Sequence, residues 1–186
     1  MAQHKPSQEN IQRRPVRDTD RPFLLRVFAS YMERSRELMD SDIPDEIWDE
    51  MVRGQFDLQD AHYRDAWTDG GSFEVIEIKG KPVGRIYLWR GVDQGVEQIR
   101  IVEFTLLTEY RNQEIGSQVM REVLAWGDDV GLPVRTRLAP FELSQSFLAR
   151  HGFELLEDEK TSLHFERQPS SPGAPDAEAE PASTSD

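Results

Sequence analysis

We predict an α/β fold with a mixed sheet from three features of this 186-residue sequence. The length suits one domain that can bury a substantial core. The spacing of apolar residues changes repeatedly between strand and helix periods, in the order β, α, α, β, β, β, α, β, α, β, β. Glycines stand between these segments, where hairpin turns and helix ends need them.

Two helices are predicted after a short first strand. Pro22 suits the first turn of the earlier helix, and Asp18 or Asp20 is placed to cap it. The later helix should begin near Pro44 and end within residues 69–71. Its predicted apolar stripe is Ile47, Trp48, Met51, Val52, Phe56 and Tyr63.

Strands dominate the middle of the chain. Gly80 and Lys81 should form a tight turn between the first two of them, and a glycine-bearing loop at 91–95 should precede the third. These strands are predicted at 72–78, 83–89 and 96–107. The remaining elements are a helix that ends by Gly131, a strand at 133–138, a short helix at 143–150 and strands at 153–156 and 162–166.

The composition excludes several classes of protein. The chain has no cysteine, which excludes disulfides, thiolate nucleophiles and cysteine-based zinc sites. No apolar stretch approaches the roughly 18–20 residues of a membrane span, and the first ten residues have no apolar segment typical of a secretory signal. We therefore expect a cytoplasmic protein that does not act at a membrane.

The formal net charge is −13. A chain of this sign should not bind nucleic acid non-specifically, because phosphate contacts need positive charge. The charge would favour a cationic partner, or it only keeps the protein soluble. The four histidines show no metal-ligand spacing, so no metal site is predicted.

The two ends of the chain differ in composition from the middle. The sequence after Arg167 is rich in proline, alanine, serine and acidic residues, so we expect a disordered acidic tail at 168–186. Residues 1–11 are predicted to be a flexible N-terminus. The folded domain is therefore expected at 12–167.

The segment with the clearest functional signal joins the strand at 96–107 to the next helix. Gly116 and Ser117 open that helix directly after a short turn, and Arg111 adds a positive charge beside them. Backbone N–H groups at a helix start, together with the helix dipole, can bind a phosphate. The alternative is an ordinary connection between strand and helix. Neither GxxxxGK[ST] nor GxGxxG occurs, so a nucleoside triphosphate or a dinucleotide is not indicated.

The segment 14–167 resembles the GCN5-related N-acetyltransferase (GNAT) family. LLTEYRNQEIGS is similar to the family's pyrophosphate signature LxVxPxxRGxGIGS, and LSQSFLARHGFE is similar to its late motif LYExxGF. The segments RPVRDTDRPFLLRVFASYMERSRE and QFDLQDAHY are similar to a bacterial subgroup of the family.

The resemblance implies a mostly antiparallel central sheet with helices on both faces, and an enzyme that moves the acetyl group of acetyl-CoA directly to a primary amine. The acceptor would be a small molecule or a peptide that carries the amine. The reaction would need no metal, and a homodimer is possible. By resemblance, the pyrophosphate would be held by Arg111, Gln113, Glu114, Ile115, Gly116 and Ser117. The pantetheine arm would pair with the main chain of Phe104, Thr105 and Leu106.

The resemblance also implies a catalytic role for Glu103, which matches an acidic position that accepts the amine proton in family members. The alternative from the sequence itself is a structural ion pair between Glu103 and Arg85 or Arg100. Trp48 and Phe56 are predicted to be core residues. Tyr87 and Trp89 fit either the core or an acceptor cleft.

Three positions depart from the family pattern. Glu114 stands where the family has the first glycine of RxxGxG, and Leu148 stands where a tyrosine often protonates the departing thiolate. Phe141 or Glu142 falls where an asparagine is common. Glu114 and Leu148 together motivate an alternative function, a catalytically impaired acyl-CoA-binding or regulatory module on the same fold.

Overall fold

The computed structural model describes residues 10–38, 42–139 and 144–170. The predicted order of elements is confirmed. The elements are β1 (Ile11–Pro15), α1 (Arg21–Leu38), α2 (Asp45–Ala66), β2 (Gly71–Ile78), β3 (Lys81–Asp93), β4 (Val96–Leu106), α3 (Ile115–Val130), β5 (Val134–Leu138), α4 (Gln145–Arg150), β6 (Glu154–Glu159) and β7 (Ser162–Arg167). The predicted end segments lie outside the described residues up to position 9 and from position 171 onward.

One seven-stranded sheet organises the fold, in the order β1-β2-β3-β4-β5-β7-β6. Strands β1 to β4 pair antiparallel in chain order, and so do β5 with β7 and β6 with β7. Only the junction of β4 with β5 is parallel within the described residues. The prediction of a mixed, mostly antiparallel sheet is therefore confirmed.

Helices cover both faces of the sheet. Alternate side chains of a strand point to opposite faces, so the neighbours Val75 and Ile76 of β2 enter different cores. Val75 packs with α1 and α2, and we call that side the α1/α2 face. Ile76 packs in the larger core with α3, including Val119, and we call that side the α3 face.

The core positions of α2 are only partly as predicted. Trp48, Val52 and Phe56 are buried, which confirms the assignment of Trp48 and Phe56 to the core. Ile47 and Met51 are 58% and 38% exposed, so the predicted stripe was too wide. The helix is covered on one side only, and its opposite side remains in water whatever the residue type.

Two local predictions were wrong in detail. The β2–β3 turn consists of Lys79 and Gly80, with φ of 53° and 76°, rather than Gly80 and Lys81. A two-residue turn with positive φ at both positions matches the twist of a hairpin. Neither Asp18 nor Asp20 makes a side-chain hydrogen bond to the start of α1 in the described structure. The Asp20 carboxylate instead accepts hydrogen bonds from the Arg14 guanidinium at 2.6 and 2.9 Å and from the Arg17 N–H at 2.8 Å.

A bulge in β4 decides which side chains reach the α1/α2 face. Glu103 is the register partner of Tyr87, but Leu88 is the partner of Ile101, so Val102 is an extra residue. Before the bulge, Ile101 faces α3. After it, Glu103 lies on the α1/α2 face with Tyr87, because the extra residue shifts the alternation by one position.

Among the described residues, no helix is both long and apolar enough to cross a membrane.

Candidate functional site

Strands β4 and β5 separate halfway along their length. Their parallel pairing covers only Ile99–Ile101 and Val134–Thr136. Beyond it, β4 continues to Leu106 and β5 to Leu138 with no further register pairing between them in the described chain. A gap therefore opens in the middle of the sheet, with its wide end next to the start of α3.

Main-chain groups of β4 face this gap. The Leu107 N–H donates to the Val83 carbonyl at 3.0 Å, so position 107 faces β3. Hydrogen-bonding groups alternate along a strand, so Phe104 and Leu106 present their N–H and C=O groups to the gap. Thr105 turns its main chain toward β3. Main-chain groups at two of the three positions predicted for the pantetheine arm therefore face the gap.

The turn before α3 adopts an unusual backbone. Asn112 and Glu114 have φ of 57° and 64°, in the left-handed region that glycine enters most easily. Glu114 directly precedes the helix, makes no side-chain cap, and is exposed. The turn therefore keeps the conformation that glycine would favour, and the Glu114 carboxylate lies in water.

The first turn of α3 is open for an anion. The Gln118 N–H is the first to bond within the helix, to the Glu114 carbonyl at 2.9 Å. The N–H groups of Ile115, Gly116 and Ser117 precede it and belong to the helix start, which has no intrahelical acceptors. These N–H groups lie at the N-terminal end of α3, which is also the positive end of the helix dipole.

Arg111 and Gln113 play different parts in this turn. Arg111 Nε donates to the Leu106 carbonyl at 2.9 Å, and its guanidinium reaches the Ser30 hydroxyl at 3.4 Å. Arg111 therefore places a charge at the wide end of the gap while tying β4 to α1. Gln113 Nε2 donates to the Glu109 carbonyl at 2.6 Å and braces the turn itself.

Glu103 lies in a polar cluster on the α1/α2 face. Its Oε2 atom is 3.5 Å from an Arg85 guanidinium nitrogen and accepts a hydrogen bond from Tyr63 Oη at 3.3 Å. Its Oε1 atom accepts from the Thr105 hydroxyl. Of the two predicted ion-pair partners, the structure selects Arg85. Tyr63 is a partner that the sequence could not identify, because it comes from α2, 40 positions away.

Burial dominates the electrostatics of this cluster. It raises the pKa of Tyr63 far above its ordinary value, and the Glu103 carboxylate raises it further. Burial likewise raises the pKa of Tyr87. Burial, the largest single influence, lowers the pKa of Arg85, but Glu103, Tyr87 and Tyr63 together outweigh it, so the pKa is raised overall. The cluster therefore consists of one buried ion pair and two neutral phenols.

The aromatic residues left open by the sequence take different places. Tyr87 is buried against Phe73 and Tyr63, with ring centroids at 4.8 and 6.0 Å. Trp89 is half-buried and donates from its indole N–H to the Asp69 carbonyl at 2.8 Å. Its ring meets that of Trp67 at 5.2 Å, at the C-terminal end of α2.

Leu148, which stands where the family pattern has a tyrosine, is a core residue. Leu148 is 3% exposed and packs in the α3-face core. His151, its neighbour, uses Nδ1 in a 2.8 Å hydrogen bond with the Phe147 carbonyl. Phe141 and Glu142 lie outside the described residues.

Sequence spacing gave no metal site, yet one cluster of donors forms across the last hairpin. Ligand atoms of Glu157, Glu159 and His164 lie within 4.8 Å of one another. Both carboxylates are exposed, and they contact the imidazole at 3.2 and 3.6 Å. These contacts account for the cluster as side-chain contacts of one histidine at the edge of the sheet.

The comparison with known families agrees with this geometry. Residues 37–153 match the model of the Acetyltransferase (GNAT) family. The chain therefore belongs to the GNAT family of acetyltransferases. The predicted family and the predicted class of enzyme are confirmed, which favours the enzyme over the non-catalytic alternative. No match to a curated protein sequence is found.

Solved structures share the fold at low sequence identity. The PaiA N-acetyltransferase from Thermoplasma acidophilum, in complex with coenzyme A, is 16% identical with a TM-score of 0.64, over 86% of this chain and 99% of that one. A GNAT family acetyltransferase from Elizabethkingia anophelis with acetyl-CoA bound is 14% identical with a TM-score of 0.53, over 87% and 99%. An Arabidopsis thaliana protein in complex with the bisubstrate analogue CoA-Ac-MVNAL is 13% identical with a TM-score of 0.52, over 85% and 98%.

Proposed function

We propose that this protein is an N-acetyltransferase that moves the acetyl group of acetyl-CoA directly to a primary amine. GNAT enzymes use acetyl-CoA as their co-substrate. One observation carries the proposal for this chain: the gap between β4 and β5 runs into the open N-terminus of α3. A long thioester that ends in a pyrophosphate needs both features, and they are adjacent here.

Each part of the site has a role in holding this donor. The N–H groups of Ile115, Gly116 and Ser117 bind pyrophosphate oxygens, and Arg111 adds positive charge from the end of β4. Phe104 and Leu106 pair with the amides of the pantetheine arm, which then takes the place of a strand. One of these N–H groups also polarises the thioester carbonyl, which stabilises the charge that develops on its oxygen.

The acceptor approaches from the α1/α2 face. The amine nitrogen forms a bond to the acetyl carbon, the carbon–sulfur bond breaks, and the electron pair leaves with sulfur as a thiolate. A thiol has a pKa of about 8.5, so it leaves well without an acid, whereas an alkylamine near 10.4 must lose a proton before or during attack. We assign the proton-accepting role to Glu103, because it is the carboxylate that the β4 bulge turns toward this face beside the gap.

The cytoplasmic location is part of the proposal. The cysteine-free composition supports it, because it fits a reducing compartment. The proposed reaction also needs a compartment that contains acetyl-CoA.

Calorimetric titration with acetyl-CoA tests the donor site. We expect micromolar binding for the native protein and a loss of about tenfold or more for Arg111→Ala, because a charge-assisted contact is removed. Arg121→Ala is the matched control, since Arg121 is exposed on α3 itself. Equal affinities for all three proteins would contradict the assigned site.

Turnover tests the transfer and the base. Free CoA should appear only when an amine is present, since acetyl transfer is direct. Glu103→Gln should lower kcat/KM by about 10²-fold and remove the limb of the pH profile that reports the base. If instead the pH limb persists and only the melting temperature falls, Glu103 is a structural partner of Arg85.

A further inference from the structure

Three arginines lie side by side on the α1/α2 face, next to the gap. Arg100 of β4 is the register partner of Arg135 of β5, so both side chains emerge on the same face. Arg137 follows two positions later on β5 and therefore shares that face. We call these three residues the arginine surface.

The arginine surface is not neutralised by its neighbours. Arg100 pairs with Asp93 at 2.6 Å, and Arg135 pairs with Glu166 at 2.5 Å. Arg137 is exposed and contacts no carboxylate within the described part of the chain. One guanidinium of this surface, that of Arg137, is therefore left without a contacting carboxylate, although the whole chain carries a net charge of −13.

Carboxylates on the neighbouring hairpin do not contact Arg137. Arg137 is the register partner of His164. The two glutamates beside that histidine, Glu157 and Glu159, contact the imidazole and not the guanidinium.

Buried polar atoms without hydrogen-bond partners, three donors and one acceptor, lie around the same surface in the described structure. Gln98 is fully buried two positions before Arg100, and neither of its side-chain amide atoms has a hydrogen-bond partner among the described residues. The same holds for the buried Nε of Arg100 and the buried indole nitrogen of Trp67. Arg100 stacks over the Trp67 ring at 5.5 Å, so these last two donors are adjacent. Donors in excess of acceptors favour a ligand that accepts hydrogen bonds.

The arginine surface lies where an acceptor must bind. Thr136 is the last residue of β5 that pairs with β4, and Arg137 is the next, so the gap opens beside it. Glu103 lies beyond Arg100 on the same face, past the bulge. An acceptor whose amine reaches the gap from this side therefore extends over Arg100 and Arg137.

We propose that the acceptor is an amine that also carries a carboxylate, and that Arg100 and Arg137 bind this carboxylate. The inference rests on the proposed acetyl transfer and adds the acceptor class to it. A guanidinium matches a carboxylate in a planar, two-bonded arrangement. Burial lowers the pKa of Arg100, and repulsion from Arg137 lowers it further. A bound carboxylate would offset both effects.

Matched ligand pairs test the inference. ω-Amino acids from glycine to 6-aminohexanoate are compared with the corresponding ω-amino amides, because chain length scans the distance between amine and carboxylate. At the preferred length we expect kcat/KM to favour the acid by about tenfold or more. Arg137→Gln should reduce this acid-to-amide ratio to near one, whereas Arg121→Gln, an exposed arginine on α3, should leave it intact. Arg100→Lys should give an intermediate ratio.

A binding experiment separates this inference from the proposed function. Calorimetry with N-acetylated ω-amino acids and their amides needs no turnover, so an inactive protein still reports carboxylate binding. Failure of acetyl-CoA to bind would refute the proposed function alone. Equal binding of acid and amide, or no change on Arg137→Gln, would refute the carboxylate site. A stronger preference for aminoalkylphosphonates than for the acids would assign the surface to phosphate instead.

Discussion

Replacing Glu114 tests how the turn tolerates a carboxylate beside a pyrophosphate. Glu114 holds φ at 64° directly before α3, and its side chain is exposed. Glu114→Gln removes the charge but keeps the strained backbone. Glu114→Gly removes both. Comparing the two variants therefore separates electrostatic repulsion from conformational strain.

The magnitude follows from the exposure of the side chain. Two unit charges about 4 Å apart repel by about 1 kcal/mol in water, but by about 4 kcal/mol at an effective dielectric constant of 20. The Glu114 carboxylate lies in water, so the smaller value applies. It corresponds to an approximately fivefold tighter Kd for acetyl-CoA in Glu114→Gln. The gain should shrink as salt is added, because exposed charges are screened.

The two substitutions of Glu114 affect the free energy of unfolding through two opposing effects. Relief of backbone strain raises it, and loss of the negative charge at the helix start lowers it. A non-glycine residue in the left-handed region costs about 1–2 kcal/mol, and glycine loses about 0.5–1 kcal/mol of that gain to the entropy of the unfolded chain. Both variants lose about 0.3–1 kcal/mol of favourable charge at the helix start. We expect Glu114→Gln to be slightly less stable than the native protein and Glu114→Gly to be about equal to it.

Calorimetry at two salt concentrations and denaturant unfolding supply the measurements. A tightening of about a hundredfold or more in Glu114→Gln would show that the carboxylate points into the phosphate site, which would refute the reasoning from exposure. An unchanged Kd would mean that the pyrophosphate does not approach this turn.

Three further outcomes are expected. The Arg14 guanidinium, through its hydrogen bonds, holds the pKa of Asp20 below its ordinary value of 3.8, so stability present above that pH should fall as the pH drops through the lower, folded-state value. Asp20→Asn should flatten this acid limb in urea unfolding. Tyr63→Phe should lower kcat more than it raises KM, since the phenol orients the Glu103 carboxylate; equal activity would exclude that role. Gly127→Ala should lower the melting temperature by a few degrees, because the new Cβ would lie 2.7 Å from a β5 side chain.

The order of elements was predictable because it depends on local periodicity. A signal within about ten residues marks each of the glycine turns, the amphipathic α3 and the short strands. The structure has these elements in the predicted order. The width of the α2 stripe was not predictable, because Ile47 and Met51 have the right spacing but face water. Which apolar residues are covered depends on the sheet beneath them, and that is a tertiary property.

Only the part of the site that is contiguous in sequence was predictable. The turn from Arg111 to Ser117 is contiguous, so its pattern could be read directly. The partners of Glu103 come from β3 and α2, and the arginine surface joins β4 to β5. The local signal for the arginine surface was the spacing of Arg135 and Arg137, two positions apart on one strand. The sequence did not show which strand would lie beside them.

The short junction between β4 and β5 has a mechanical consequence. Three register pairs are all that join the four strands β1 to β4 to the three strands β5, β7 and β6 in the described sheet. Every other neighbouring pair of strands has at least five register partners. The sheet should therefore bend at this line before it bends elsewhere. A ligand that fills the gap adds hydrogen bonds across the weakest line of the molecule, so the loaded enzyme should be stiffer, and its β5–β7–β6 amides should exchange with solvent more slowly.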